Sequence, residues 1–134
     1  MGFFNKFLGS DSGETNNKDT DKKDVPWIPL TDHETLKTIK VDSNTRLQAI
    51  FKHSTRCGIS RMVLKNFEGS YSSDFNTADI YFLDLLNHRD LSAKIASEFD
   101  VMHESPQLIL LKNGTVVHHA SHSEIETDVL AKYL

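Results

Sequence analysis

The chain has 134 residues, 38% hydrophobic and 25% charged, with fifteen Lys plus Arg against nineteen Asp plus Glu and a net charge of -4. That length suits one domain, and the acidic balance excludes a nucleic-acid binder that works by neutralising phosphates. No apolar run approaches the roughly 20 residues of a membrane-spanning helix, and the single cysteine excludes a disulfide framework or a zinc site built on several thiolates.

Met1 to Leu8 is a short apolar stub carrying Phe3, Phe4, Phe7 and Leu8. It lacks the basic start and longer apolar stretch of a secretory leader, so the expected location is the cytoplasm. Gly2 stands where a myristoylated glycine would, but Lys6 occupies the position that calls for Ser or Thr. Weak attachment to a surface or partner through the aromatics is the alternative to an unattached terminus. Gly9 to Asp24 holds no apolar residue and cannot bury enough surface to offset the entropy of ordering. Residues 1–24 therefore read as a disordered tail, and the folded unit is expected over residues 25–134.

Pro26 and Pro29 mark an extended entry segment around Trp27. Thr31 with Glu34 three residues later forms a capping box, predicting a helix from Asp32 that buries Leu36 and Ile39. Arg46 to Lys52 is a short apolar run with polar ends, which suits a buried strand. His53 to Gly58 reads as a loop. Beyond it Ile59, Met62, Val63 and Phe67 recur at helical spacing, so a helix begins close to Cys57 and closes near Gly69. Ala78 to Asp84 is a second short strand, and Asp90 can cap a helix whose buried edge is Leu91, Ile95 and Phe99. Gln107 to Lys112, Asn113-Gly114 and Thr115 to His119 predict a hairpin with a type I′ turn. Ser123 with Glu126 is another capping box, for a last helix lined by Ile125, Val129, Leu130 and Tyr133. A strand–helix–strand unit favours a parallel pair, and the added hairpin makes the sheet mixed, with helices on both faces. The fold class expected is a small α/β sandwich. Cys57 then falls just past the C-terminal end of a central strand, where open α/β sheets put their ligands.

Cys57 is flanked by Thr55, Arg56 and Ser60 rather than by an apolar run. A helix N-terminus offers unpaired N–H groups and a positive dipole end, and Arg56 adds a charge; all three favour thiolate over thiol. Cys57-Gly58-Ile59-Ser60 has the spacing of a C-x-x-C redox motif with a hydroxyl in place of the second thiol. Ser60 cannot resolve a mixed disulfide, so that step must come from an outside thiol. The Ser60 hydroxyl either bonds the thiolate or caps the helix, and capping is the preferred reading. Ser105-Pro106 directly precedes the hairpin.

These strings resemble the thioredoxin-like YtxJ family, the monothiol bacilliredoxins of the bacillithiol system. The resemblance spans most of Trp27 to Leu134. It rests on Phe51-Lys52-His53-Ser54-Thr55-Arg56-Cys57-Gly58-Ile59-Ser60, on Glu104-Ser105-Pro106-Gln107 and on Lys112-Asn113-Gly114. Many members carry proline where this chain has Gly58. The resemblance implies a thioredoxin-like fold with Pro106 in the cis form, facing Cys57. It implies removal of bacillithiol from protein mixed disulfides by Cys57 with Ser60, and a substrate held by Arg56, Gly58, Ser105 and Pro106. Bacillithiol is then a co-substrate, no cofactor is bound, bacillithiolated proteins are the partners, and a monomer is expected.

Two other readings stand beside it. A monothiol glutaredoxin, with its C-G-F-S string, would use glutathione and share an iron–sulfur cluster across a dimer, although Ile59 replaces its phenylalanine. A binding module with a silent cysteine is the third. Among the seven histidines, His118-His119-x-x-His122 is the densest group, but strand neighbours point to opposite faces. His53 and His103 rank below Arg56 as influences on Cys57, and Glu104 is left open. Tyr71 and Tyr81 are expected in the core rather than against a sugar. Asp79 and Asp84 read as solvated strand ends, so no carboxylate is assigned a place beneath the cysteine.

Overall fold

The run Gln48–His53 is buried at every position, which a strand achieves only with a neighbour on each side and helices on both faces. The computed structural model, which describes residues 25–134, supplies all four. The expected stub and tail over residues 1–24 lie outside the described residues. In chain order the elements are β1 (Ile28–Pro29), α1 (His33–Asp42), β2 (Gln48–His53) and α2 (Gly58–Ser70). A 3-10 turn at Ser73–Phe75, β3 (Asp79–Asp84), α3 (Arg89–Phe99), β4 (Gln107–Lys112) and β5 (Thr115–Ser121) follow. A second 3-10 turn at His122–Glu124 leads into α4 (Asp128–Tyr133).

The strands form one mixed sheet in the order β1-β3-β2-β4-β5. β2 and β3 run parallel, in register from Gln48 opposite Asp79 to His53 opposite Asp84. β4 lies antiparallel on the other side of β2, with Lys52 opposite Gln107, and β5 completes the hairpin. The type I′ turn is as predicted: Asn113 and Gly114 have φ of 56° and 79°. Ser43, at the end of α1, accepts from both of their N–H groups and fastens the turn to the body.

Strand alternation divides the core into two layers. Ala49, Phe51, Leu108 and Leu110 pack with Val63, Phe67 and Leu130 beneath α2 and α4. Ile50, Leu83, Ile109 and Leu111 pack with Leu36, Ile39, Leu91 and Ile95 beneath α1 and α3. Trp27 lies on the first layer, 5.3–5.8 Å from the rings of Phe51, Phe67 and Phe82, with Nε1 donating to Glu68.

Four local expectations are corrected. The entry segment contributes a strand, β1, paired parallel with β3. Asp32, not Thr31, caps α1: its carboxylate accepts from the Thr35 N–H and hydroxyl, each at 2.8 Å. Asp90 lies inside the first turn of α3 after His88 as the cap residue, and its carboxylate meets the His33 ring. The Ser123–Glu126 box does not start a helix. Ile125 turns extended to reach the core, and α4 begins only after Thr127, whose hydroxyl bonds Ser70 at the end of α2.

Two glycines behave oppositely under substitution. Gly114→Ala, at a left-handed φ, should cost about 1 kcal/mol, whereas Gly69→Ala, helical with open space around it, should gain about 0.4–1 kcal/mol. Urea melts of the two variants against the native chain measure both signs.

Candidate active site

α2 starts where the chain leaves the sheet, and Cys57 is its N-cap residue, extended at φ −100° and ψ 122°. The thiol is half-buried and is the free cysteine of the fold. Its N–H donates to the Ser54 carbonyl and its carbonyl accepts from the Arg61 N–H. No side chain caps this helix start and its first turn holds no acid. The positive end of the dipole and the unpaired first-turn N–H groups are therefore presented at the sulfur.

Ser60 has neither of the positions expected for it. It is fully buried, and its hydroxyl oxygen accepts from the Ser54 N–H and lies 3.2 Å from His53 Nδ1. The hydroxyl and His53 Nδ1 share a hydrogen bond whose direction follows the imidazole tautomer. Ser60 thus ties the end of β2 and its loop to the first turn of α2. Burial lowers the proton affinity of His53, while the Asp84 and Glu68 charges oppose that shift and Arg61 adds to it.

Arg56 is exposed, as is Gly58. Arg61 is the cation that lies along the turn: its guanidinium donates to the Thr55 carbonyl at 3.1 Å. A Cβ on Gly58 would stand 3.7 Å from Arg61 Nη2. Its separation of four residues from Cys57, one helical turn, is the signal that marks Arg61 in the sequence.

Ser105–Pro106 is cis and immediately precedes β4. Since Gln107 pairs with Lys52, this dipeptide sits at the sheet edge from which the Cys57 turn emerges. The approach to it is braced. Gln107 donates to the Met102 carbonyl and accepts from the Glu104 N–H, the Glu104 carboxylate accepts from the Ser121 hydroxyl, and the Pro106 carbonyl accepts from the His122 N–H. The Ser105 hydroxyl is buried with no hydrogen-bond partner among the described residues.

Asp79 and Asp84 are not the solvated ends that sequence suggests. Asp79 is held by Arg46 and Gln48. Asp84 pairs in register with His53, with one carboxylate oxygen on Asn87 and the other buried without a partner among the described residues. Tyr71 and Tyr81 are buried, as expected. The His118 ring packs beside Tyr133. Among the described residues, no three His, Cys, Asp or Glu side chains converge as a metal site.

Lys52 is the residue the sequence concealed. It occupies the last inward position of β2 on the α3 side and is fully buried, with its ammonium near the Ser92 carbonyl (3.5 Å) and His103 Nδ1 (3.3 Å). Burial pushes its pKa down to about 8.

A half-buried thiol at a strand-to-helix turn, level with a cis-proline entering an antiparallel strand, defines a thioredoxin-fold protein, and solved structures agree. A candidate oxidoreductase described as having a thioredoxin fold is 29% identical, with a TM-score of 0.66 over 79% of this chain and 91% of that one. The thioredoxins of Malassezia sympodialis (14% identity, TM-score 0.64, 82% and 89% of the two chains) and Schistosoma mansoni (18%, 0.59, 81% and 95%) share the fold. Residues 28–130 match the family model of the monothiol bacilliredoxin BrxC. The chain belongs to that family, and its role is one of thiol redox chemistry. No helix among the described residues is long and apolar enough to cross a membrane.

The buried ammonium gives the fold a pH signature. The unfolded chain keeps the lysine proton up to the ordinary 10.5 while the fold releases it at about 8. Stability attributable to Lys52 therefore rises as pH climbs from about 8 to 10.5, and the penalty is fully present below that window. Lys52→Met should be more stable than the native chain at pH 7 by on the order of 2–3 kcal/mol. Its advantage should shrink toward pH 10, read from denaturant midpoints across that range.

Proposed function

We propose that the protein removes bacillithiol, a cysteinyl sugar thiol, from mixed disulfides on other proteins, with Cys57 as the nucleophile. The carrying observation is the position of this thiol at the N-terminus of α2, on the same sheet edge as cis Ser105–Pro106. Membership of the monothiol bacilliredoxin family supports the choice of thiol.

Cys57 thiolate attacks the bacillithiol sulfur of the protein–bacillithiol disulfide. That S–S bond breaks, the substrate cysteine leaves as a thiolate and takes up a proton, and a Cys57–bacillithiol disulfide forms. A second bacillithiol, as thiolate, attacks the bacillithiol sulfur of this adduct. Bacillithiol disulfide departs and Cys57 returns as thiolate. The chain's one cysteine makes the external thiol obligatory. Gly58 and the following N–H groups of α2 stabilise charge on sulfur, and Arg61, with the exposed Arg56, adds to the positive field. The backbone of cis Ser105–Pro106 receives the substrate across from the sulfur. Ser60 acts indirectly, by holding the turn through His53 and Ser54.

Intact mass after incubation with a bacillithiolated protein tests this directly. The native chain should gain one bacillithiol and lose it on addition of free bacillithiol, and Cys57→Ser should gain none. Ser60→Ala leaves the buried His53 ring and the half-buried Ser54 N–H without their partner, so it should lose about 1–3 kcal/mol of stability and form the adduct several-fold more slowly. A native chain that stays unmodified while the substrate keeps its bacillithiol overturns the reading.

A further inference from the structure

The side of the sheet facing away from α2 holds a second site. A groove of about 740 Å³ runs along α3, between the chain leaving β3 and the segment that approaches β4. Leu85, Leu86, Ala93, Ala96, Val101 and Met102 supply its apolar lining. Met102 is 81% exposed, an unusual state for a methionine with a groove beside it. The size falls in the range of small-molecule sites, which pair apolar walls with a few placed polar groups.

The polar groups are Ser92 and His103, with Lys52 directly behind them. An ammonium can only donate, so His103 Nδ1, 3.3 Å from Lys52 Nζ and from Ser92 Oγ, is an acceptor. The proton of the neutral ring then sits on Nε2, on the side of the imidazole away from Lys52. Among the described residues, Lys52 forms no ion pair with a carboxylate, although it is fully buried. A buried cation ordinarily has a counter-charge, and here none comes from the described residues. Arg89 and Asp100 also line the groove and offset each other in charge.

We propose that this groove binds a small amphipathic carboxylate: its hydrocarbon lies along Leu86, Ala96 and Met102, and its carboxylate accepts from His103 Nε2–H, with Lys52 as counter-charge behind. The site is independent of the redox reading, because neither Cys57 nor the Ser105–Pro106 dipeptide takes part. Mostly apolar walls set the chain-like half of the ligand, and the uncompensated ammonium sets the sign of its head.

The probe is decanoate, titrated into the full-length protein and followed by backbone amide NMR, with decanol and decyltrimethylammonium as neutral and cationic counterparts. Saturable shifts centred on Ala93, Ala96, Met102 and His103 are expected with decanoate, with affinity at least ten-fold above either counterpart. Lys52→Met should weaken decanoate at least five-fold and leave decanol unchanged. Ala96→Phe, which fills the groove from a half-buried position on α3, should abolish both. No saturable shift, equal affinity for decanol, or unaltered decanoate binding by Lys52→Met each overturns the proposal.

Discussion

The molecule depends on one antiparallel register, Lys52 opposite Gln107. β2 runs outward into the Cys57 turn and β4 runs inward from Ser105–Pro106, so pairing these two strands brings both loops to one edge. The parallel pairing of β2 with β3 delivers Asp84 to that edge as well. A slip of one residue would exchange the two faces of β4, sending Leu108 and Leu110 to the wrong layer. The register is therefore held by the same apolar side chains that build the core.

On this frame the two faces of the sheet do different work. Beneath α2, polar groups pair with one another, Ser60 with His53 and Ser54 and Trp27 with Glu68, while one Asp84 oxygen stays buried without a partner among the described residues. These pairings leave the thiol without a partner side chain at the helix start, where the backbone supplies the field. Beneath α3, the sheet contributes an ammonium that the fold does not neutralise. The first arrangement preorganises; the second carries a standing electrostatic cost within an otherwise apolar layer.

Much of the framework was legible because its signals are local. Asn113-Gly114 between two apolar runs admits few alternatives, and the helical spacing from Ile59 to Phe67 placed Cys57 at a helix start. Failures came where tertiary contacts chose among local options. β1 has only two residues and contains a proline, so pairing with β3 alone makes it a strand. Ile125 left its helical frame to reach the core. In the site, Ser60 was visible but its partners were not, because His53 and Ser54 approach it only after β2 and α2 are juxtaposed. Lys52 read as the polar end of a strand, since sequence periodicity does not report that α3 covers that end.

The placement of Trp27 gives the protein a built-in optical reporter. It is the chain's one indole, resting on Phe51, Phe67 and Phe82 and bonded to Glu68. Phe67 and Glu68 belong to the helix that begins at the sulfur. A displacement of that helix while an adduct is carried would change the polarity and quenching around the fluorophore, so emission could follow turnover without an attached dye.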